Sequence, residues 1–187
     1  MRMFVAIDLD DRVKASAFSL RSIADSAGRS SLRFVKPEHL HLTLAFLGEV
    51  EAPRGDHVIA AMQEPVAGIT PFRMAFGGVG MFPPRGAPRV LWLGVSEGAT
   101  ELAALHRLVA RRLGALDVRL EDREFHPHLT IGRWRESKAS DRARLRAGPP
   151  VSTPAMTVDH VTLYESRVSS EGPTHIERAR ALLASTS

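Results

Sequence analysis

Met3 to Leu9 is a short apolar run of strand-forming residues, and the period then changes. Asp10 can cap a helix, and Val13, Ala17, Leu20 and Ala24 fall on one helical face. A break at Gly28 and its serines leads to Leu32–Val35, a turn at Lys36-Pro37, and a strand over Leu40–Leu47 that stops at Gly48. A polar helix over Pro53–Gln63 and an extended stretch over Thr70–Val79 follow. The cluster Gly77, Gly78, Gly80, Pro83, Pro84, Gly86, Pro88 is the strongest break in the chain and falls near its midpoint.

The order then starts again. Arg89–Val95 reads as a strand. Glu101–Leu113 reads as a helix with Leu102, Leu105, Val109 and Leu113 on one stripe and Gly114 as its stop. His128–Trp134 is a second strand of this half, followed by an Arg-rich helix over Lys138–Ala147, stopped by Gly148-Pro149-Pro150. Ser152–Leu163 alternates as one strand, Glu171-Gly172-Pro173 marks a turn, and His175–Leu183 fits a strand or a helix. Strands and helices mixed in two similar halves predict an α+β protein built by duplication. The expected lobes are 1–84 and 85–187 of one domain, with terminal strands exchanged between them.

Composition narrows the chemistry. With 187 residues and 44% apolar side chains, the chain can bury one globular core. Its longest apolar stretch, Val90–Val95, is far short of the roughly 20 residues a membrane helix needs. The opening apolar run meets Asp8, Asp10 and Asp11, unlike a secretory signal, so cytoplasmic residence is expected; separately, a monomer is expected. Cysteine is absent, which removes disulfides, thiolate metal sites and Cys nucleophiles and leaves histidine to carry proton transfer near neutral pH. The formal charge is +4, and all the basic residues but Lys14, Lys36 and Lys138 are Arg, whose fork suits phosphate or carboxylate.

Each half carries one copy of a short pattern: His39-Leu40-His41-Leu42-Thr43-Leu44 and His126-Pro127-His128-Leu129-Thr130-Ile131. A third His-x-Thr, His160-Val161-Thr162, lacks both the upstream His and the central Leu, and reads as a chance copy on a half-exposed strand. On a strand, His41 and Thr43 leave one face while Leu42 and Leu44 leave the other, and His128 and Thr130 do the same against Leu129 and Ile131. Each copy thus anchors itself to a core and offers an imidazole and a hydroxyl about 6 to 7 Å apart. A pseudo-twofold between the halves would bring both pairs to one cleft.

Such a constellation suits phosphodiester hydrolysis without a metal. A neutral His takes a proton from water, a protonated His gives one to the leaving oxygen, and the two hydroxyls donate to the non-bridging phosphate oxygens. Arg133 is the nearest guanidinium, and its odd offset from His128 requires a bulge or bend at Gly132. Arg142, Arg144 and Arg146 read as a solvated face. Two other readings stand beside this one. The His39/His41 and His126/His128 pairs can act as metal ligands, although that gives no reason for Thr at the same offset twice. Alternatively, arginines with Phe34, Phe46 or Phe125 can make an RNA-binding module in which the histidines are incidental.

At these residues the chain resembles the 2H phosphoesterase superfamily, and within it the RNA 2′,3′-cyclic phosphodiesterases also called 2′-5′ RNA ligases. Phe4-Val5-Ala6-Ile7-Asp8, Arg33-Phe34-Val35 with Pro37, His41 to Gly48, Phe125-His126-Pro127-His128 and Leu163-Tyr164-Glu165-Ser166 extend the match over nearly the whole chain. The resemblance implies a bilobal α+β fold, two antiparallel sheets facing across a central groove with helices outside. It implies hydrolysis of a 2′,3′-cyclic phosphate on RNA, or of a cyclic nucleotide, to a 2′-phosphate with no metal or other cofactor, and 2′-5′ ligation as a secondary activity. In the same terms His41 resembles the general acid, His128 the general base, Thr43 and Thr130 the phosphate hydroxyls, and Arg133 a basic residue that follows the second motif.

Overall fold

A computed structural model describes residues 1–20, 31–118, 120, 124–146, 150–169 and 172–184. Ala24, the break at Gly28, the stop at Gly148-Pro149 and Glu171 of the expected turn lie outside them. In chain order the elements are β1 (Arg2–Asp8), α1 (Asp11–Ser19), β2 (Leu32–Phe34), a 3-10 turn (Pro37–His39), β3 (His41–Glu49), α2 (Ala52–Ala61), β4 (Val66–Ala67), β5 (Phe72–Phe82), β6 (Val90–Glu97), α3 (Ala99–Gly114), β7 (His128–Trp134), α4 (Ala139–Arg146), β8 (Met156–Val158), β9 (His160–Ser169) and β10 (Gly172–Ala184).

The local signals act as their chemistry requires. Asp10 caps α1, its carboxylate accepting from the Val13 amide at 2.8 Å. Leu102, Leu105, Val109 and Leu113 of α3 are all fully buried, each contributing about 1.5–3 kcal/mol of apolar burial. On β1, Met3 to Ile7 are buried in succession, as a strand covered on both faces demands.

The strands run in the order β4-β10-β9-β1-β3-β7-β6-β5-β8, with β2 beside β7. Neighbours are antiparallel except β4, which is parallel to β10. The two antiparallel sheets, β10-β9-β1-β3 and β7-β6-β5-β8, join edge to edge at β3 and β7. Leu42 opposite Leu129 is the single register pair between those strands among the described residues, and both side chains are fully buried. The midpoint break at Pro83–Pro88 is the loop of the β5–β6 hairpin, and β9 and β10 return to lie beside β1.

Ser152–Leu163 is not one strand. It divides at Asp159, because β8 pairs with β5 on one side while β9 pairs with β1 on the other, and the chain crosses between them. His175–Leu183 is strand. A bulge between Glu177 and Ala179 interrupts its alternation and spaces the core positions Ala179, Ala181 and Leu183 away from Ile176, which is the source of its helix-like pattern.

Candidate active site

The two motifs occupy corresponding places on β3 and β7. Leu42 pairs with Leu129 on the core side, so the antiparallel direction brings His41 toward Thr130 and Thr43 toward His128 on the opposite face. All four are partly exposed, whereas Leu42, Leu44, Leu129 and Ile131 are buried. One face at the seam of the sheet therefore carries two imidazoles and two hydroxyls.

The same irregularity follows each motif. Against β1 the register steps from Ala45 to Thr43 and passes over Leu44. Against β6 it steps from Gly132 to Thr130 and passes over Ile131. Each bulge returns the next alternate residue to the open face, so Phe46 and Arg133, both five positions beyond their histidine, are exposed there. The shift that an Arg133 on this face requires is thus made at Ile131, just before Gly132. A Cβ at Gly132 would stand 2.8 Å from a Leu32 methyl, which explains the small residue beside the bulge.

Each histidine is fixed by its own upstream partner. His41 Nδ1 lies 2.8 Å from the His39 carbonyl, and His128 Nδ1 lies 2.7 Å from the His126 carbonyl. A carbonyl only accepts, so Nδ1 carries the proton in both rings and Nε2 is the nitrogen left for proton transfer. When neutral each Nε2 is a base, and when protonated it is an acid. The upstream histidines act through their backbone oxygens at these two positions, a role that needs no metal.

Aromatic walls hold the rings. His41 stacks on Phe4 at 5.0 Å and meets the His175 edge at 5.2 Å, while His128 packs against Phe82 at 5.2 Å and Trp92 at 5.9 Å. Gly80 makes room for Trp92, since a Cβ there would come within 2.1 Å of the indole. Burial, and then the charge of His175, push the His41 pKa down to about 4 against the opposing pull of the His39 carbonyl and Asp8. Burial also lowers His128, with His126 and Arg133 acting in the same direction and the His126 carbonyl against them. Both imidazoles are therefore neutral at pH 7 in the free protein, and a bound anion is the natural source of the charge that would protonate one.

His160 is not at this seam. On β9 it contacts Asp8 and Asp159. Arg142 bonds the carbonyls of Pro83 and Gly86 and so braces the β5–β6 loop, in place of the solvated role expected for it, while the side chains of Arg144 and Arg146 lie outside the described residues. Phe34 lies on β2, and Phe125 stacks on His106 at 4.0 Å rather than joining Phe46. No group of three or more His, Asp or Glu is arranged to hold a metal among the described residues. Sequence reasoning missed His175, Phe82 and Trp92 as walls, and Asp8. The first three lie on strands whose pairing alone brings them here.

The sequence pattern of the 2′-5′ RNA ligase superfamily matches residues 11–170. An RNA 2′,3′-cyclic phosphodiesterase of Archaeoglobus fulgidus is 37% identical over 175 residues, covering 92% of this chain and 95% of the relative. That of Aquifex aeolicus is 37% identical over 147 residues, covering 75% and 76%. Among solved structures, E. coli LigT complexed with 3′-AMP superposes with a TM-score of 0.79 at 26% identity and covers 97% of both chains. TT0787 of Thermus thermophilus gives 0.76 at 25% identity, with the same coverage.

Proposed function

The chain belongs to the 2′-5′ RNA ligase superfamily, and on that premise we propose that it hydrolyses 2′,3′-cyclic phosphate ends of RNA to 2′-phosphomonoesters, without a metal, through His41 and His128. The observation that carries this reading is the matched fixing of both rings at Nδ1, on two strands that meet at Leu42 and Leu129.

Water attacks phosphorus opposite the 3′ oxygen. The His128 Nε2 takes the water proton, the P–O3′ bond breaks, and the Nε2–H of His41 passes its proton to O3′. The 2′ ester bond survives, so the product is a 2′-phosphate and a free 3′ hydroxyl. Thr43 and Thr130 donate to the non-bridging oxygens, and Arg133 adds positive charge on the same face. The phosphodiester anion raises the pKa of the imidazole it approaches and so supplies the acid that free His41, neutral at pH 7, does not offer. A 5′ hydroxyl in place of water would run the 2′-5′ ligation through the same groups. We read the molecule as one bilobal domain, a monomer acting on RNA in the cytoplasm; among the described residues no helix is long and apolar enough to cross a membrane.

The test is an assay of purified protein on an RNA ending in a 2′,3′-cyclic phosphate, with and without EDTA, resolving the phosphate isomers. The expected result is a 2′-phosphate formed at the same rate with chelator. Loss of activity with EDTA and its rescue by zinc or manganese would favour the His-x-His metal reading. Retention of RNA binding without any turnover would favour the binding module.

A further inference from the structure

Asp8 ends β1 directly opposite His41 in the β1–β3 register, a relation that brings the two Cβ atoms within about 4.5–5.5 Å on one face. Its carboxylate is gripped from β9. Thr162 Oγ1 donates to Oδ2 at 2.6 Å, Tyr164 donates to Oδ1 at 2.6 Å, and His160 Nε2 lies 3.3 Å from Oδ2. These three side chains are alternate residues of one strand and so share a face. Thr162 is fully buried, and His160 is held in turn by Asp159 at 2.5 Å from Nδ1. The third His-x-Thr, which shares no seam with the other two, is thus a clamp on a single carboxylate.

We propose that Asp8 is a positioning residue: clamped by Thr162, Tyr164 and His160, it holds a fixed negative charge beside His41 and sustains the protonated ring during proton transfer. Most of the surroundings of His41 oppose that charge. Burial and the charges of His175 and His39 disfavour the imidazolium, while the His39 carbonyl and, after it, the Asp8 carboxylate favour it. Burial also works against the charge of Asp8, but the hydrogen bonds from Thr162, Tyr164 and His160 outweigh it, and the carboxyl stays below its ordinary pKa. Among the described residues, β10 places a further charge near it. Arg180 feels Asp8, yet its guanidinium is paired with Glu177 at 2.9 Å. Tyr164, raised first by burial and then by its bond to Asp8, remains a donor.

The inference rests on His41 as a proton carrier, so its test reads the ring as well as the rate. The His41 imidazole is titrated by NMR in the wild type and in Asp8→Asn, Asp8→Ser and Asp8→Glu. Both neutral variants are expected to lower the His41 midpoint by about one unit, and to lower kcat/KM above that midpoint about tenfold. Asp8→Glu, which keeps the carboxylate, is expected to restore the midpoint and most of the rate, a rescue that a structural role alone does not predict. Should the neutral variants fail to fold, the same coupling is read from the other side: His41→Ala must raise the Asp8 midpoint, because the influence of each charge on the other is reciprocal. An unchanged His41 midpoint in a folded neutral variant, or an unchanged Asp8 midpoint in His41→Ala, overturns the proposal. A shifted midpoint in a protein that does not hydrolyse cyclic phosphates leaves the coupling standing and removes the functional reading instead.

Discussion

Acid should weaken this fold through His41. Its ordinary pKa of 6.5 drops to about 4 in the native protein, so between those values the unfolded chain binds a proton that the folded chain refuses. Stability therefore rises with pH across that window and is lost as pH falls from 6.5 toward 4. At 1.36 kcal/mol per unit the shift amounts to about 3 kcal/mol, a large share of the total for a domain of this size. The informative perturbation is His41→Gln, which fills similar space and cannot titrate. Urea unfolding of both proteins at pH 7 and pH 4 gives a wild type-minus-variant difference in which His128 and His175, also lowered, cancel. Asp8 and Asp10 have the opposite sign and act below the ordinary 3.8, outside this range. The difference should fall by about 3 kcal/mol on acidification. A change smaller than about 1 kcal/mol, beyond the error of linear extrapolation, would refute the burial argument on which the reading of His41 as neutral depends.

His41→Ala and His128→Ala should each lower turnover of a cyclic phosphate roughly 10²–10⁴-fold with an unchanged circular dichroism spectrum, and either variant retaining wild-type kcat removes that ring from the mechanism. Thr43→Val and Thr130→Val should lower kcat by about 10²-fold each, read by steady-state kinetics, and an effect confined to KM would limit the hydroxyls to ground-state binding. Gly80→Ala drives a methyl into the Trp92 ring, so it should cost about 1–3 kcal/mol in urea unfolding and depress kcat through His128; a variant with native stability and near-UV signal would show that the wall has slack. His160→Ala should keep most of the activity in the same assay, since Thr162 and Tyr164 still hold Asp8, and a loss equal to that of His41→Ala would make the third histidine catalytic.

Much of this is legible from one dimension, and the limits have physical causes. The β3 and β7 motifs declare their faces through alternation, and α3 through its leucine stripe. Those are local signals. The 3-10 turn at Pro37–His39 follows from Pro37, whereas Gly48, whose φ of 65° suits glycine, does not stop β3, which pairs with β1 through Glu49. What local pattern cannot encode is pairing. His175 reaches His41 because β10 lies beside β9 and β9 beside β1. Asp8 looks like an ordinary acidic strand end, and its partners stand more than 150 positions away. His160-Val161-Thr162 resembles a failed copy of the β3 and β7 motif for the same reason, since its partner on β1 is not visible in its own neighbourhood.

The return of β9 and β10 to the first strand has a consequence for synthesis. A nascent chain carries His41 early, yet Asp8 cannot acquire its clamp until β9 has been made, nor the ring its His175 neighbour until β10 follows. Cleavage after β8 would strip the same partners away while sparing both motifs. Completion of the wall and the clamp thus waits on β9 and β10, and partial products carrying both histidines would lack them.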